Sequence, residues 1–168
     1  MRVNLVIGGI IAILFSLGNT VVVAQECKLI SETDPYTKLT KISSGFIELS
    51  GAAVTVDADK KEIDLLFSFK TDRCFDDECT AMVYFAGTKL KLNLRNSGSM
   101  NCEGLFHFIF KNSTSVNYQL KKLATMKLSH VVFTDRDDKE IPVQLNPEMQ
   151  EAFQRAVQCI STEALKLL

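Results

Sequence analysis

The 168-residue sequence predicts an α+β fold: one antiparallel, meander-like sheet of roughly six to eight strands, with an amphipathic C-terminal helix packed on one face. Three observations carry this. Between positions 46 and 145 apolar residues recur mostly at every second position, the period of a half-buried strand. Polar or glycine-bearing turns break the runs at short intervals. One stretch, 147–164, changes to the helical period.

Residues 25–41 form a leading segment. Pro35 fixes its own φ and pushes Asp34 away from helix, so Asp34-Pro35-Tyr36 reads as a turn. Phe46-Ile47-Glu48-Leu49 and Ala53-Val54-Thr55-Val56-Asp57 are short strands, followed by a polar turn at 57–61. Ile63, Leu65, Phe67 and Phe69 share one face of the next strand. After Arg73-Cys74-Phe75-Asp76-Asp77-Glu78-Cys79 a strand resumes at 80–85 and turns at Gly87. In 89–95, Leu90, Leu92 and Leu94 face in, while Lys89, Lys91, Asn93 and Arg95 face water.

A loop spans 96–104. The run 105–110 is apolar on both faces and is expected at the centre of the sheet. Asn117, Leu120, Leu123 and Ala124 suit a short helix at 117–124. Strands follow at 127–134 and 140–145, joined by an acidic turn. Pro142 cannot donate to a ladder, so its strand lies at an edge or presents that position outward. Asn146-Pro147-Glu148 is a helix start: N-cap, proline at N1, then an acid in the positive first turn. Met149, Phe153, Ala156, Val157, Ile160 and Ala164 make its apolar stripe.

A cysteine (Cys27) and Asp34-Pro35-Tyr36-Thr37 precede these paired β segments, and a helix carrying Cys159-Ile160 closes the chain. In that layout the sequence resembles small secreted bacterial proteins of unknown function. The resemblance covers most of the chain after residue 24, rests on short motifs, and implies no activity and no functional residues.

Met1-Arg2 followed by an apolar run from Leu5, with Val22 and Ala24 before Gln25, reads as a signal peptide over 1–24. The alternative is a retained anchor; Asn19 and Thr20 within the run disfavour it. Removing 24 residues from 168 leaves 144, a single α+β domain over 25–168. Without Arg2 the chain carries 18 basic against 20 acidic residues. No basic tract appears, so nucleic acid is not an expected partner, and a membrane is expected only through the signal segment if uncleaved.

Cys27, Cys74, Cys79, Cys102 and Cys159 all follow residue 24, and export permits disulfides. Five is odd, so at least one thiol stays free or pairs elsewhere. A redox pair is disfavoured for Cys74 and Cys79, because four residues separate them and the three acids raise a thiol's pKa. Structural zinc would need two further ligands, such as Cys102 with His107 or His130, and the spacing does not ask for them. Calcium on Asp72, Asp76, Asp77 and Glu78 lacks the alternating ligands and turn glycine of a calcium loop. The expected arrangement is a Cys74–Cys79 disulfide closing an acidic turn; its main rival joins one of the two to Cys102. A Cys27–Cys159 bond would tie the leading segment to the last helix, although spacing alone does not fix connectivity.

His107 alternates with Leu105 and Ile109, and His130 with Leu128 and Val132. If their strands are neighbours the imidazoles approach each other; otherwise each is a strand histidine with an ordinary hydrogen bond. Asp76/Asp77 and Asp137/Asp138 lie in polar turns, where acids are solvated. No nucleophile elbow, phosphate loop or metal-binding helix motif is present. Asn112-Ser113-Thr114 matches a glycosylation sequon. The phenylalanines on 67, 69, 85, 106, 108 and 110 read as core, or alternatively as the wall of an apolar ligand cavity.

No catalytic set and no cofactor are expected. The leading expectation is an exported noncatalytic module acting through its surface on a protein, glycan or envelope partner. The alternatives are a carrier of a small apolar ligand between sheet and helix, and a hydrolase built from His107 or His130 with a distant carboxylate or hydroxyl.

Overall fold

The structure is a computed structural model and describes residues 27–168; the segment expected to be a signal peptide lies outside the described residues. Ten strands form two antiparallel sheets, and two helices follow the strands they pack on. The strands are β1 (Ile30–Thr33), β2 (Thr40–Ser43), β3 (Ile47–Leu49), β4 (Ala52–Ala58), β5 (Glu62–Phe69), β6 (Thr80–Phe85), β7 (Lys91–Arg95), β8 (Leu105–Lys111), β9 (Leu128–Thr134) and β10 (Glu140–Gln144). The helices are α1 (Tyr118–Thr125) and α2 (Pro147–Ala164).

The larger sheet has the order β1-β2-β4-β5-β8, with β3 also paired to β4; the smaller has the order β10-β9-β6-β7. The strands therefore divide between two layers instead of forming one meander. Except for β1, which is exposed throughout, the strands bury mainly one face, and the buried faces of the two sheets meet. Val54, Val56, Leu65, Phe67, Phe106 and Phe108 come from the larger sheet; Ala81, Val83, Val131 and Phe133 come from the smaller. Phe133 joins the layers, its ring centroid 5.0 Å from Phe67, 4.9 Å from Phe69, 5.0 Å from Phe106 and 6.1 Å from Phe108. Side chains at that separation interdigitate as in a sandwich core.

Helix α2 begins as its sequence requires. The Asn146 side chain accepts from Met149 N at 2.9 Å, Pro147 stands in the first turn, and Glu148 meets the helix dipole. Its buried residues are Phe153, Ala156, Val157, Ile160 and Ala164. The Phe153 ring reaches to 6.2 Å from Phe67, so the helix seats directly on the Phe face. Helix α1, capped by Asn117, packs Leu120 and Leu123 inward and lies against α2.

The strand 105–110 is not central, as its apolar composition predicts, but forms an edge of the larger sheet. The edge is shielded by side chains over its first half. Asn101 Oδ1 accepts from Leu105 N and Asn101 Nδ2 donates to Leu105 O, while Asn96 Oδ1 accepts from His107 N. Strand β10 is the edge of the smaller sheet. Leu145 N bonds Ser129 O, which sets the ladder phase so that Pro142 presents its nitrogen outward.

Candidate functional site

The stretch from Arg73 to Cys79 is stapled, but not within itself. The expected Cys74–Cys79 bond is replaced by Cys74–Cys102, so Cys102 is no free thiol, and a second disulfide joins Cys27 to Cys159. Cys79 is the unpaired cysteine and is buried. The local backbone gives the reason. Phe75 and Asn101 exchange both backbone hydrogen bonds, at 2.8 and 2.9 Å, which sets their flanking cysteines side by side. Cys79 leads into β6 in phase with Ala81 and Val83, so its side chain points to the core while Cys74 stays in the loop. Phe75, fully buried between them, packs on Phe69 and Phe106.

One acid of this loop, Asp76, is structural. Asp76 Oδ1 accepts from Glu78 N, Cys79 N and the Cys79 thiol, and Asp76 Oδ2 lies 3.5 Å from Arg136 Nε. The thiol bond, the Glu78 amide and the Arg136 charge hold the Asp76 carboxyl below its ordinary range. Burial pushes the Cys79 thiol up to about 11, which keeps it protonated and unreactive at neutral pH. Asp77 is exposed beside Arg95, with 3.7 Å between the charges. Among the described residues no three His, Cys, Asp or Glu side chains gather to hold a metal ion.

The two histidines do not meet, because β8 and β9 belong to different sheets. His130 stacks on Tyr84 at 4.2 Å and its Nδ1 lies 3.0 Å from Ser129 Oγ. His107 is more unusual. Its Nδ1 lies 2.8 Å from Asp64 Oδ2, across the β5–β8 ladder on the outer face. Its backbone is clamped by Asn96 and by Ser97, whose N–H donates to His107 O at 2.9 Å. Gly98 lies against the ring: a Cβ there would stand 2.6 Å from Cδ2, so only glycine fits. The bond to Asp64 raises the His107 pKa, and burial partly opposes it. Nε2 makes no hydrogen bond within the described chain. The pair is an oriented, base-like imidazole without a bonded nucleophile; it also locks two strands. Sequence reasoning missed Asp64, because only the register brings a residue 43 positions away onto His107.

A third place is built mainly of exposed apolar side chains. Ile30, Tyr36, Leu39 and Phe46 are 55, 93, 48 and 77 % exposed, and all lie on β1, β2 or their adjoining turns. The Asp34 side chain holds the hairpin tip by accepting from Tyr36 N at 2.8 Å and Thr37 N at 2.7 Å. Next to Phe46 is an open cleft of about 700 Å³, lined also by Leu49, Ala52, Phe69, Glu48 and Lys70.

The sequon at Asn112 is hidden. Asn112 is 4 % exposed, and Nδ2, the atom a glycan would take, donates to Asp59 O at 2.9 Å and Ala164 O at 2.8 Å. The folded chain cannot be modified there.

No protein-family model, curated protein or solved structure matches this chain. What the fold and its cysteines define is a class: an α+β domain of two antiparallel sheets, held by two disulfides that fit an oxidising, extracytoplasmic environment. Among the described residues no helix is long and apolar enough to cross a membrane.

Proposed function

We propose that the chain is an exported, noncatalytic module that acts through its surface on a protein partner. The contact face is the β1–β3 end. One observation carries this: Ile30, Tyr36, Leu39 and Phe46 are left in water within one short segment, beside a cleft with apolar walls. Exposed apolar side chains spread along one short segment, with aromatics among them and Phe46 at the cleft, suit contact with a protein partner. The secretory reading of residues 1–24 and the two disulfides support action outside the cytoplasm.

The test is site-specific photo-crosslinking in the source cells, with benzoylphenylalanine at position 36 or 46 and, as control, at exposed Lys60. Discrete adducts from 36 and 46 alone support the proposal. Absence of adducts at both, or the same adducts from position 60, sinks it.

The ligand-carrier reading is weaker, since direct ring contacts of Phe67 with Phe133 and Phe153 fill the space between sheet and helix. The hydrolase reading retains one observation, the His107–Asp64 pair. A turnover found with an ester or amide panel and abolished by His107→Gln would favour it over the binding module.

A further inference from the structure

Strands β7 and β8 each form one edge of their sheet, and they run antiparallel away from a pinch where Ser97 N donates to His107 O. Ladder phase tells which backbone groups look into the gap. In β8, Gly104 O and Asn112 N bond back to Phe69 and Lys61, so even-numbered residues serve the ladder and odd-numbered ones face outward. In β7, Asn96 N bonds Cys79 O, so Asn93 and Arg95 face outward too.

The outward groups of β8 are treated unequally. Leu105 has both of its groups capped by Asn101, and His107 has both capped, by Asn96 and Ser97. Ile109 and Lys111 have no such caps among the described residues, and neither do Asn93 and Arg95 opposite. Between them lies a cleft of about 310 Å³, closed at its far end by Asn117 and Gln119 of α1 and its cap. An open edge of this kind is a template for another strand. Charge selects the kind of strand. No carboxylate lines the cleft; Arg95 does, 3.7 Å from Asp77, and Lys91 and Lys111 take the next outward positions on the same two strands, Lys111 opposite Glu62, so that Lys91 is the cation without an acidic neighbour.

We infer that the β7–β8 gap binds an extended, acidic peptide segment of another protein, by adding it as a strand to the β8 edge at Ile109 and Lys111. This surface is separate from the β1–β3 end and does not depend on it.

The probe is a fluorescein-labelled eight-residue peptide of alternating glutamate and valine, followed by anisotropy with the full exported chain. It should bind more tightly than the lysine–valine counterpart and weaken as salt rises. N-methylation at alternate residues of the peptide removes its donors without touching the protein. That change should weaken binding by about tenfold, the loss of one or two hydrogen bonds. Ile109→Pro removes one outward N–H at an edge position that tolerates proline, and should do the same. Lys111→Pro, which removes the other uncapped outward N–H of β8, is the second variant if the first does not fold. Arg95→Glu should weaken the preference for the acidic peptide, and Gln158→Ala, exposed on α2, should leave affinity unchanged. Equal binding of the two peptides, or indifference to both N-methylation and the proline variants, overturns the inference. So does a dimer that Ile109→Pro dissociates, since a second copy would then hold the edge.

Discussion

Removal of each disulfide in turn gives a prediction whose size follows from the chain path. Cys27–Cys159 spans 132 residues and Cys74–Cys102 spans 28. If a crosslink acts by restricting the unfolded chain, closure of the long loop is worth about 5 kcal/mol and of the short one about 3.6 kcal/mol. The Cys27→Ser/Cys159→Ser variant should therefore lose about 1.4 kcal/mol more than Cys74→Ser/Cys102→Ser. Guanidinium unfolding at pH 7 without reductant measures both, and a non-reducing peptide map checks the pairing in each variant. If the short-loop variant costs as much or more, unfolded-chain entropy does not govern. The exchange of backbone bonds between Phe75 and Asn101 would then be the part that the disulfide protects. A peptide linking Cys74 to Cys79 in the native protein would refute the arrangement itself.

Four further outcomes are expected. Asp64→Asn should lower the His107 titration midpoint in NMR; because the folded pKa is raised above the ordinary 6.5, the stability gained from the pair is full below that value and is lost as pH rises through the folded one. Cys79 should resist alkylation in the folded protein and react at once in denaturant, and its raised pKa should cost the fold stability as pH climbs from 9 to about 11. Asp135→Ala should destabilise by about 2–4 kcal/mol in denaturant titration, because this 4 % exposed carboxylate accepts from Asp137 N, Lys139 N and Arg73. Phe133→Ala should cost about 3–5 kcal/mol, since the cavity it leaves would separate rings of both sheets.

Much of the architecture is legible in the sequence. Asn146 and Pro147 mark the start of α2, and its stripe names the buried side, because cap chemistry and helical period are local. Alternation likewise marks Leu92 and Leu94, or Ile63 to Phe69, as inward. The division into two sheets was not legible, since alternation states which residues are buried but not against what. The same gap misplaced 105–110. Leu105 and Ile109 make its outer face look buried, yet the edge is satisfied by Asn96 and Asn101, side chains that a sequence shows only as loop polarity. The cysteine pairing and the Asp64–His107 contact depend on register between distant segments, which no local pattern encodes.

The bond between Cys27 and Cys159 has a mechanical consequence. A pull applied through the chain before residue 27 and after residue 159 meets a covalent link before it reaches either sheet. The residues enclosed by the link are off the load path, and tension alone would not peel their strands apart. Past the link on the C-terminal side, the end of α2 and the residues after it remain to be stretched. Reduction would turn the same chain into an ordinary tether, extensible through the full length of its β structure. An optical-trap experiment would register the change as a new unfolding step that appears with reductant.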